Sequence, residues 1–136
     1  MFYHKAKRGI SMKVYYGHCQ AIYGSKQDER DVETLRALGF EVVNPSAEEH
    51  VQMAKNMKCA GISSEKVMGY FESLVDGCDA VAFRALPDGA VPAGVAKEIE
   101  RAASKGKPVI ELPSCISRRV LTVEQTREYL REIGQR

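Results

Sequence analysis

The chain has 136 residues, of which 44% are hydrophobic and 28% are charged, as in an ordinary globular domain. A formal net charge of +2, spread over scattered basic residues, gives no support for a nucleic acid polymer as partner. No apolar run reaches membrane-spanning length, and the start of the chain has no apolar signal stretch. We therefore expect no membrane partner and a cytoplasmic location.

The four cysteines lie far apart in the sequence. They are Cys19, Cys59, Cys78 and Cys115. Because no CxxC pair is present, the pattern favours neither a zinc site nor a thioredoxin-type site, and we expect no metal. A disulfide framework is unexpected in a chain with this much core-forming sequence, which indicates a reducing compartment. Cys78 precedes an apolar run and is predicted to be a small core residue.

The first eleven residues differ in character from the rest of the chain. Residues 1–11 predict a flexible leader or an extension, because a strand pattern opens directly after Met12. We expect one domain to span residues 12–136.

The sequence pattern predicts a strand, a helix and a second strand in the first half of the domain. Residues 13–17 predict a strand of β-branched and aromatic residues that ends at a glycine. Ser25 is the predicted N-cap of the next helix, with Asp28 three residues further on as a weaker capping-box partner. That helix ends at Gly39, and residues 40–44 form the second predicted strand.

The second half continues the alternation. Ser46 and Glu49 form a capping-box pattern for a short helix that ends at Gly61. The later predicted elements are a helix over 64–76, a buried strand over 79–83, a helix ending near Lys105, a strand over 108–112 and a helix from Thr122 to about Ile133.

Alternating strands and helices predict the fold class. Right-handed crossovers between successive strands give an α/β protein with a parallel sheet covered on both faces. We expect four to five strands in a Rossmann-like or flavodoxin-like arrangement.

Ligands of such sheets bind beyond the carboxyl ends of the strands. That rule selects residues 17–25, residues 84–94 and the turn Pro113–Ser114. The first of these segments opens a helix, where backbone N–H groups and the helix dipole favour an anion. A polar loop that only caps the helix explains the same residues, and both interpretations stay open.

Glu98 is the candidate catalytic residue of the second segment. It is predicted to lie in the first turns of a helix that points at the crevice, where the dipole holds a carboxylate ionised. An ionised carboxylate beside a bound sugar can attack the anomeric carbon. The alternative is that Glu98 is merely a partner of the helix dipole.

Three segments together resemble the nucleoside 2-deoxyribosyltransferase superfamily, which includes 2′-deoxynucleoside 5′-monophosphate N-glycosidases. They are Asp79–Phe83, Gly94–Glu98 and Ser104–Ile110, which resemble the "aDavva" strand, the glycine loop with its following glutamate, and the "GKPV" approach to the next strand. Tyr15–Gly17 and Tyr23–Ser25 resemble the family's first strand and its base- or phosphate-contacting loop. The resemblance covers most of residues 12–112.

The resemblance implies an enzyme that breaks or exchanges an N-glycosidic bond of a nucleoside or nucleotide. Glu98 would be the nucleophile that attacks C1′, and water or a second base would complete the reaction. It implies no metal or organic cofactor and a homo-oligomer. The candidate substrate-binding residues are Tyr16, Gly17, His18, Tyr23, Gly24, Ser25, Asp88 and Gly94.

The chain departs from the family pattern at two places. The family usually carries an aspartate in the helix before the third strand, where Phe71 stands here, and the adjacent Glu72 points about 100° away around a helix. The glycosidases also hold phosphate with a serine in the loop where Pro92 or Ala93 falls here. Other groups, another substrate or a loss of activity would explain both departures.

Two further hypotheses follow. The first is a non-catalytic nucleotide-binding or sensor domain of the same fold. The second is an interaction scaffold with an adaptable surface formed by Met53, Met57 and Met68, although methionines at such spacing are more often core residues.

Overall fold

Four parallel strands form the centre of the fold. The computed structural model of the protein describes residues 11–113 and 120–135. Its strands are β1 (Lys13–Gly17), β2 (Glu41–Val43), β3 (Ala80–Phe83) and β4 (Val109–Glu111). They pair in the order β2-β1-β3-β4, and every pair is parallel. The order is that of a flavodoxin-like sheet, so the predicted fold class is confirmed.

Helices connect the strands and cover the sheet. They are α1 (Lys26–Ala37), α2 (Glu48–Cys59), α3 (Ser64–Asp76), α4 (Ala93–Ser104) and α5 (Val123–Glu132), with a short 3-10 turn at Gln20–Ile22. None of the helices in the described part of the chain is both long enough and apolar enough to cross a membrane.

Successive side chains of β1 point to opposite faces of the sheet and into two separate cores. Val14 and Tyr16 pack with Leu35 of α1. Tyr15 lies on the other face, where it packs in a core with Val75 of α3 and Ala102 of α4. The two tyrosines of β1 therefore face different helices.

The topology creates a switch point at the carboxyl ends of β1 and β3. From β1 the chain crosses to β2 on one side, and β3 lies on the other side of β1. Gly17 and Phe83 are paired at the ends of these two strands, and the Arg84 N–H donates to the Gly17 carbonyl at 3.0 Å. Ligand crevices of open α/β sheets form at this kind of position.

Two helix starts that were predicted from local capping residues are confirmed. Ser25 caps α1, because its hydroxyl accepts from the Asp28 N–H at 3.2 Å, and Thr122 and Gln125 form a full capping box on α5. The capping box predicted at Ser46 is wrong. Ala47 is the N-cap of α2 and makes no side-chain cap bond, while the Ser46 hydroxyl donates to the Asp28 carboxylate at 2.7 Å.

Several other predictions concern side-chain burial. Cys78 is buried in the second core, as predicted. Met57 and Met68 pack against a third apolar cluster between α2 and α3, whereas Met53 is exposed. The predicted leader, apart from Ser11, lies outside the described residues, as do Ser114 and Cys115.

Candidate active site

The Glu98 side chain lies at the carboxyl end of β1. Only 7% of Glu98 is exposed. Its Oε2 accepts a 2.6 Å hydrogen bond from the Tyr15 hydroxyl. Its Oε1 faces Gly17 so closely that a Cβ built on Gly17 would stand 3.1 Å away. No lysine, arginine or histidine of the described residues forms an ion pair with Glu98.

Burial sets the protonation behaviour of Glu98. Desolvation raises the pKa of its carboxyl to about 7, the Tyr15 hydrogen bond lowers this pKa in part, and the charge of Glu72 raises it. The expectation that the helix dipole keeps Glu98 ionised is therefore wrong. Glu98 is the sixth residue of α4, beyond the turn where the dipole acts strongly, and burial outweighs the dipole. Near neutral pH the carboxyl is present in both protonation states.

Tyr15 holds Glu98 in place and stays protonated. Burial, followed by the charge of Glu98, keeps the pKa of the Tyr15 hydroxyl far above its ordinary value. The hydroxyl therefore remains a hydrogen-bond donor to the carboxylate throughout the range in which Glu98 titrates. Sequence reasoning missed Tyr15, because only the packing of α4 decides which of two adjacent tyrosines faces Glu98.

Tyr16 belongs to a different cluster on the opposite face of the sheet. Its hydroxyl donates to Oδ2 of the buried Asp31 of α1 at 2.5 Å. The same carboxylate receives two bonds from the Arg84 guanidinium, from Nε to Oδ2 at 2.5 Å and from Nη2 to Oδ1 at 2.7 Å. Bidentate pairing of this kind fixes geometry as well as charge. The cluster joins the end of β3 to α1, and Tyr16 faces away from Glu98.

Asp28 joins the loops that follow β1 and β2. Its carboxylate accepts bonds from the Gly24 N–H at 2.8 Å, the Ser46 hydroxyl at 2.7 Å and the Asn44 amide at 2.9 Å. Burial alone raises the pKa of Asp28, but these three donors together with His18 lower it below its usual value. Asp28 is therefore an ionised anchor for the edge of the crevice.

His18 is built into this anchor. Its ring stacks on that of Tyr16, with centroids 3.8 Å apart and planes 7° from parallel. Nε2 lies 3.2 Å from the Asp28 carboxylate, and Nδ1 lies 3.0 Å from the Tyr16 carbonyl oxygen. Burial lowers the pKa of His18, although the adjacent acceptors oppose the shift. With 4% of the residue exposed, His18 supports the loop from inside.

The rest of the β1 loop wraps around His18. The Tyr23 ring lies 4.7 Å from the His18 ring, and burial followed by the charge of Glu98 raises the pKa of Tyr23. Gly24 has φ +75°, a left-handed conformation that disfavours side chains, and from it the chain enters α1 through the N-cap Ser25. The predicted residues of this loop thus form one connected unit.

Two predicted binding residues stand apart from this unit. Asp88 is exposed, and its Oδ1 accepts from the Ala90 N–H at 2.9 Å within its own turn. Gly94 is exposed in the first turn of α4, and a Cβ there would meet no atom within 4 Å. The bond of Asp88 stays within its own turn, and the roles of Asp88 and Gly94 in substrate binding stay predictions.

Phe71 and Glu72 of α3 face different neighbours. Phe71 is buried against Ala54 and Val67, between α2 and α3. Glu72 is half-buried, and its charge is close enough to Glu98 to raise the pKa of that carboxyl. The second carboxylate near Glu98 is therefore Glu72, although it lies about 100° around the helix from Phe71.

Among the described residues, no group of three or more His, Cys, Asp or Glu side chains is arranged to hold a metal ion.

The fold and the site define a class: a flavodoxin-like α/β protein with a buried glutamate at its topological switch point. Compared with known proteins, the chain matches no family model, no curated protein and no solved structure.

Proposed function

We propose that the protein cleaves or exchanges the N-glycosidic bond of a nucleoside or nucleotide, with Glu98 as the nucleophile. The observation that carries the proposal is the Glu98 carboxylate, buried at the carboxyl end of β1 with Tyr15 on one oxygen and Gly17 beside the other. The motifs that resemble the nucleoside 2-deoxyribosyltransferase superfamily supply the type of reaction.

Each oxygen of Glu98 has a distinct part in the proposed reaction. The Tyr15 hydroxyl on Oε2 fixes the rotamer of the carboxylate, so that Oε1 is the attacking atom. Glycine at position 17 avoids the crowding of Oε1 that a Cβ would cause. In the proposed reaction, Oε1 attacks C1′ of the substrate.

The chemistry proceeds in two displacements. The ionised Oε1 forms a bond to C1′ while the bond from C1′ to the base nitrogen breaks, and the departing base takes up a proton. Water then attacks C1′, loses a proton and releases the Glu98 carboxylate; a second base in place of water gives exchange. A nucleophile with a pKa of about 7 is substantially ionised at neutral pH and is also a reasonable leaving group in the second step.

The proposal is tested by incubating the protein with a panel of nucleosides and 5′-monophosphates and separating free base by chromatography. We expect release of base by the natural chain and none above background by Glu98→Ala. Glu100→Ala is the matched control, because Glu100 is an exposed residue of the same helix. Release that continues unchanged in Glu98→Ala would remove Glu98 from the mechanism.

A nucleotide-binding or sensor domain without turnover is the second candidate. Phe71 favours it, because an apolar residue packed between α2 and α3 stands where the enzymes that the sequence resembles place an aspartate. The same panel distinguishes the two functions in a thermal-shift assay. A sensor gains thermal stability from a ligand that it leaves intact, whereas an enzyme releases base from it.

We also propose a homo-oligomer in the cytoplasm. Apolar side chains on and beside α5 support self-association, since Val123, Tyr129 and Ile133 are each about half exposed or more. Light scattering of the purified chain tests the oligomer, and Tyr129→Glu is expected to dissociate it. A monomer at all concentrations would contradict this part of the proposal.

A further inference from the structure

The outer side of β4 is an open strand edge. In the sheet order β2-β1-β3-β4, the strand pairs with β3 alone. On that side the Val81 N–H donates to the Pro108 carbonyl at 3.0 Å, and the Leu112 N–H donates to a carbonyl of β3 at 2.9 Å. Because backbone groups alternate along a strand, the N–H and C=O groups of Val109 and Glu111 point away from β3. None of these groups is hydrogen-bonded to a residue that the structure describes.

The opposite edge of the sheet offers fewer backbone groups. There the Glu41 N–H donates to the Met12 carbonyl at 2.9 Å, so that within β2 only Val42 turns its N–H and C=O outward. Strand β4 presents two donors and two acceptors, against one of each on β2. Its own residues also include neither lysine nor proline, which commonly block an open edge. The edge of β4 is therefore the better suited of the two to pair with a further strand.

Three side chains along this edge share one face of the sheet. Lys107, Val109 and Glu111 stand at alternate positions, and Val109 is the register partner of Val81, which packs in the core beneath α3 and α4. On the same face the Lys107 amine donates to the Asp76 carbonyl of α3 at 2.9 Å. Neither Lys107 nor Glu111 forms an ion pair with another described residue. The edge thus presents a positive, an apolar and a negative side chain in succession.

This succession is complementary to itself in the antiparallel direction. When two copies of β4 pair around Val109, the two valines lie opposite each other, and each Glu111 lies opposite Lys107 of the other copy. The two valines then exchange both of their outward backbone hydrogen bonds. Pairing shifted by two residues in either direction loses the valine pair and both charge pairs. Side-chain complementarity therefore favours the register centred on Val109.

We propose that two copies of this chain pair through the edge of β4, antiparallel and centred on Val109. Their two four-stranded sheets then join into one sheet of eight strands. A second copy is the occupant because Lys107, Val109 and Glu111 complement the same three residues on a two-fold axis. This inference rests on the homo-oligomer proposed above and names a contact surface for it. The exposed side chains of α5 are a separate surface, which the test does not involve.

The variant Val109→Cys tests the register by crosslinking. In the proposed pairing, the Cα atoms of the two substituted residues lie about 5.5 Å apart, which a disulfide spans. Val91→Cys is the matched control, because Val91 lies outside β4 and is 38% exposed, against 37% for Val109. Each chain is incubated with oxidised glutathione, and peptide mass spectrometry identifies the linked positions. We expect about tenfold more linkage through position 109 than through position 91. Equal linkage at the two positions, or none at position 109, would overturn the pairing.

A charge exchange tests which residues face each other. Glu111→Lys gives the edge two positive charges and Lys107→Glu gives it two negative charges, so that each variant repels its own copies but attracts the other variant. Both are made in the Val109→Cys chain, and the linked pairs are separated by mass. We expect linkage within each variant to fall by about tenfold and linkage between the mixed variants to equal that of the parent chain. Mixed linkage as weak as linkage within each variant would contradict the register.

Folding of the variants is checked by circular dichroism, because Lys107 also holds the end of α3. If Lys107→Glu does not fold, linkage at position 109 alone decides the proposal. The outcomes also separate the edge from the proposed function. An oligomer in light scattering without linkage at position 109 contradicts the edge and leaves the oligomer standing, whereas a monomer at all concentrations contradicts both. Linkage at position 109 without release of base supports the edge and contradicts only the enzyme.

Discussion

Replacing Glu98 by glutamine is expected to remove a large pH dependence from the stability of the fold. The pKa of the folded carboxyl is about 7, against an ordinary value of 4.5. Between these values the folded chain retains a proton that the unfolded chain releases, so the free energy of unfolding falls as pH rises. The contribution of Glu98 to the free energy of unfolding is thus fully present below pH 4.5, and it is lost as pH rises through 7.

The magnitude follows from the same two values. At about 1.4 kcal/mol per pH unit, the interval corresponds to about 3 kcal/mol of stability between pH 4.5 and pH 8. Glutamine does not titrate, and it can still accept the Tyr15 hydrogen bond. The difference in stability between Glu98→Gln and the natural chain should therefore grow by about 3 kcal/mol in favour of the variant over this range.

The assay is urea unfolding followed by circular dichroism at pH 4.5 and pH 8. Comparing the two chains at each pH cancels the contributions that all other titrating groups make to the free energy of unfolding, because both chains share these groups. Glu100→Gln is the matched control, because that side chain is exposed on the same helix, and we expect it to behave as the natural chain. Parallel pH profiles for Glu98→Gln and the natural chain would refute the argument that the charge of Glu98 is buried at a cost.

Three other substitutions test the surroundings of Glu98. Tyr15→Phe removes the bond that lowers the pKa of Glu98, so the acidic limb of the pH–rate profile for base release should move to higher pH. An unmoved limb would show that the bond does not influence the nucleophile. Gly17→Ala places a Cβ 3.1 Å from Oε1 and should reduce turnover strongly while the circular dichroism spectrum is retained. Full activity in that variant would contradict the attack from Oε1. Asp28→Ala removes the acceptor of the Gly24 N–H and of the other groups that donate to Asp28. It should lower the free energy of unfolding, measured in urea, by about 3 kcal/mol. A loss below about 1 kcal/mol would mean that these donors find other partners.

The parts of the fold that local sequence determines were predicted closely. Helix α3 occupies the predicted residues 64–76, because its apolar spacing and the residues at its ends act within a few positions. The strand over 13–17 is likewise as predicted, since a short β-branched and aromatic run that ends at glycine leaves little choice.

Predictions that depended on distant contacts were less accurate. The sequence places Glu49 at capping-box spacing from Ser46. In the structure the Ser46 hydroxyl instead donates to the carboxylate of Asp28, which belongs to α1. The protonation state of Glu98 depends on its burial in the folded chain, which no local pattern reveals. The choice between Tyr15 and Tyr16 depends on which face of the sheet α4 covers, and spacing along a strand does not determine that.

Trapping the covalent intermediate is the most direct test of the central proposal. The natural chain is incubated with 2′-fluorinated nucleosides and nucleoside 5′-monophosphates, whose electron-poor sugars slow the second displacement, and is then digested for peptide mass spectrometry. We expect a sugar or sugar-phosphate adduct on the peptide that contains Glu98, with one equivalent of free base. Release of base while the adduct forms on another residue, or while that peptide stays unmodified, would contradict the assignment of Glu98 as nucleophile.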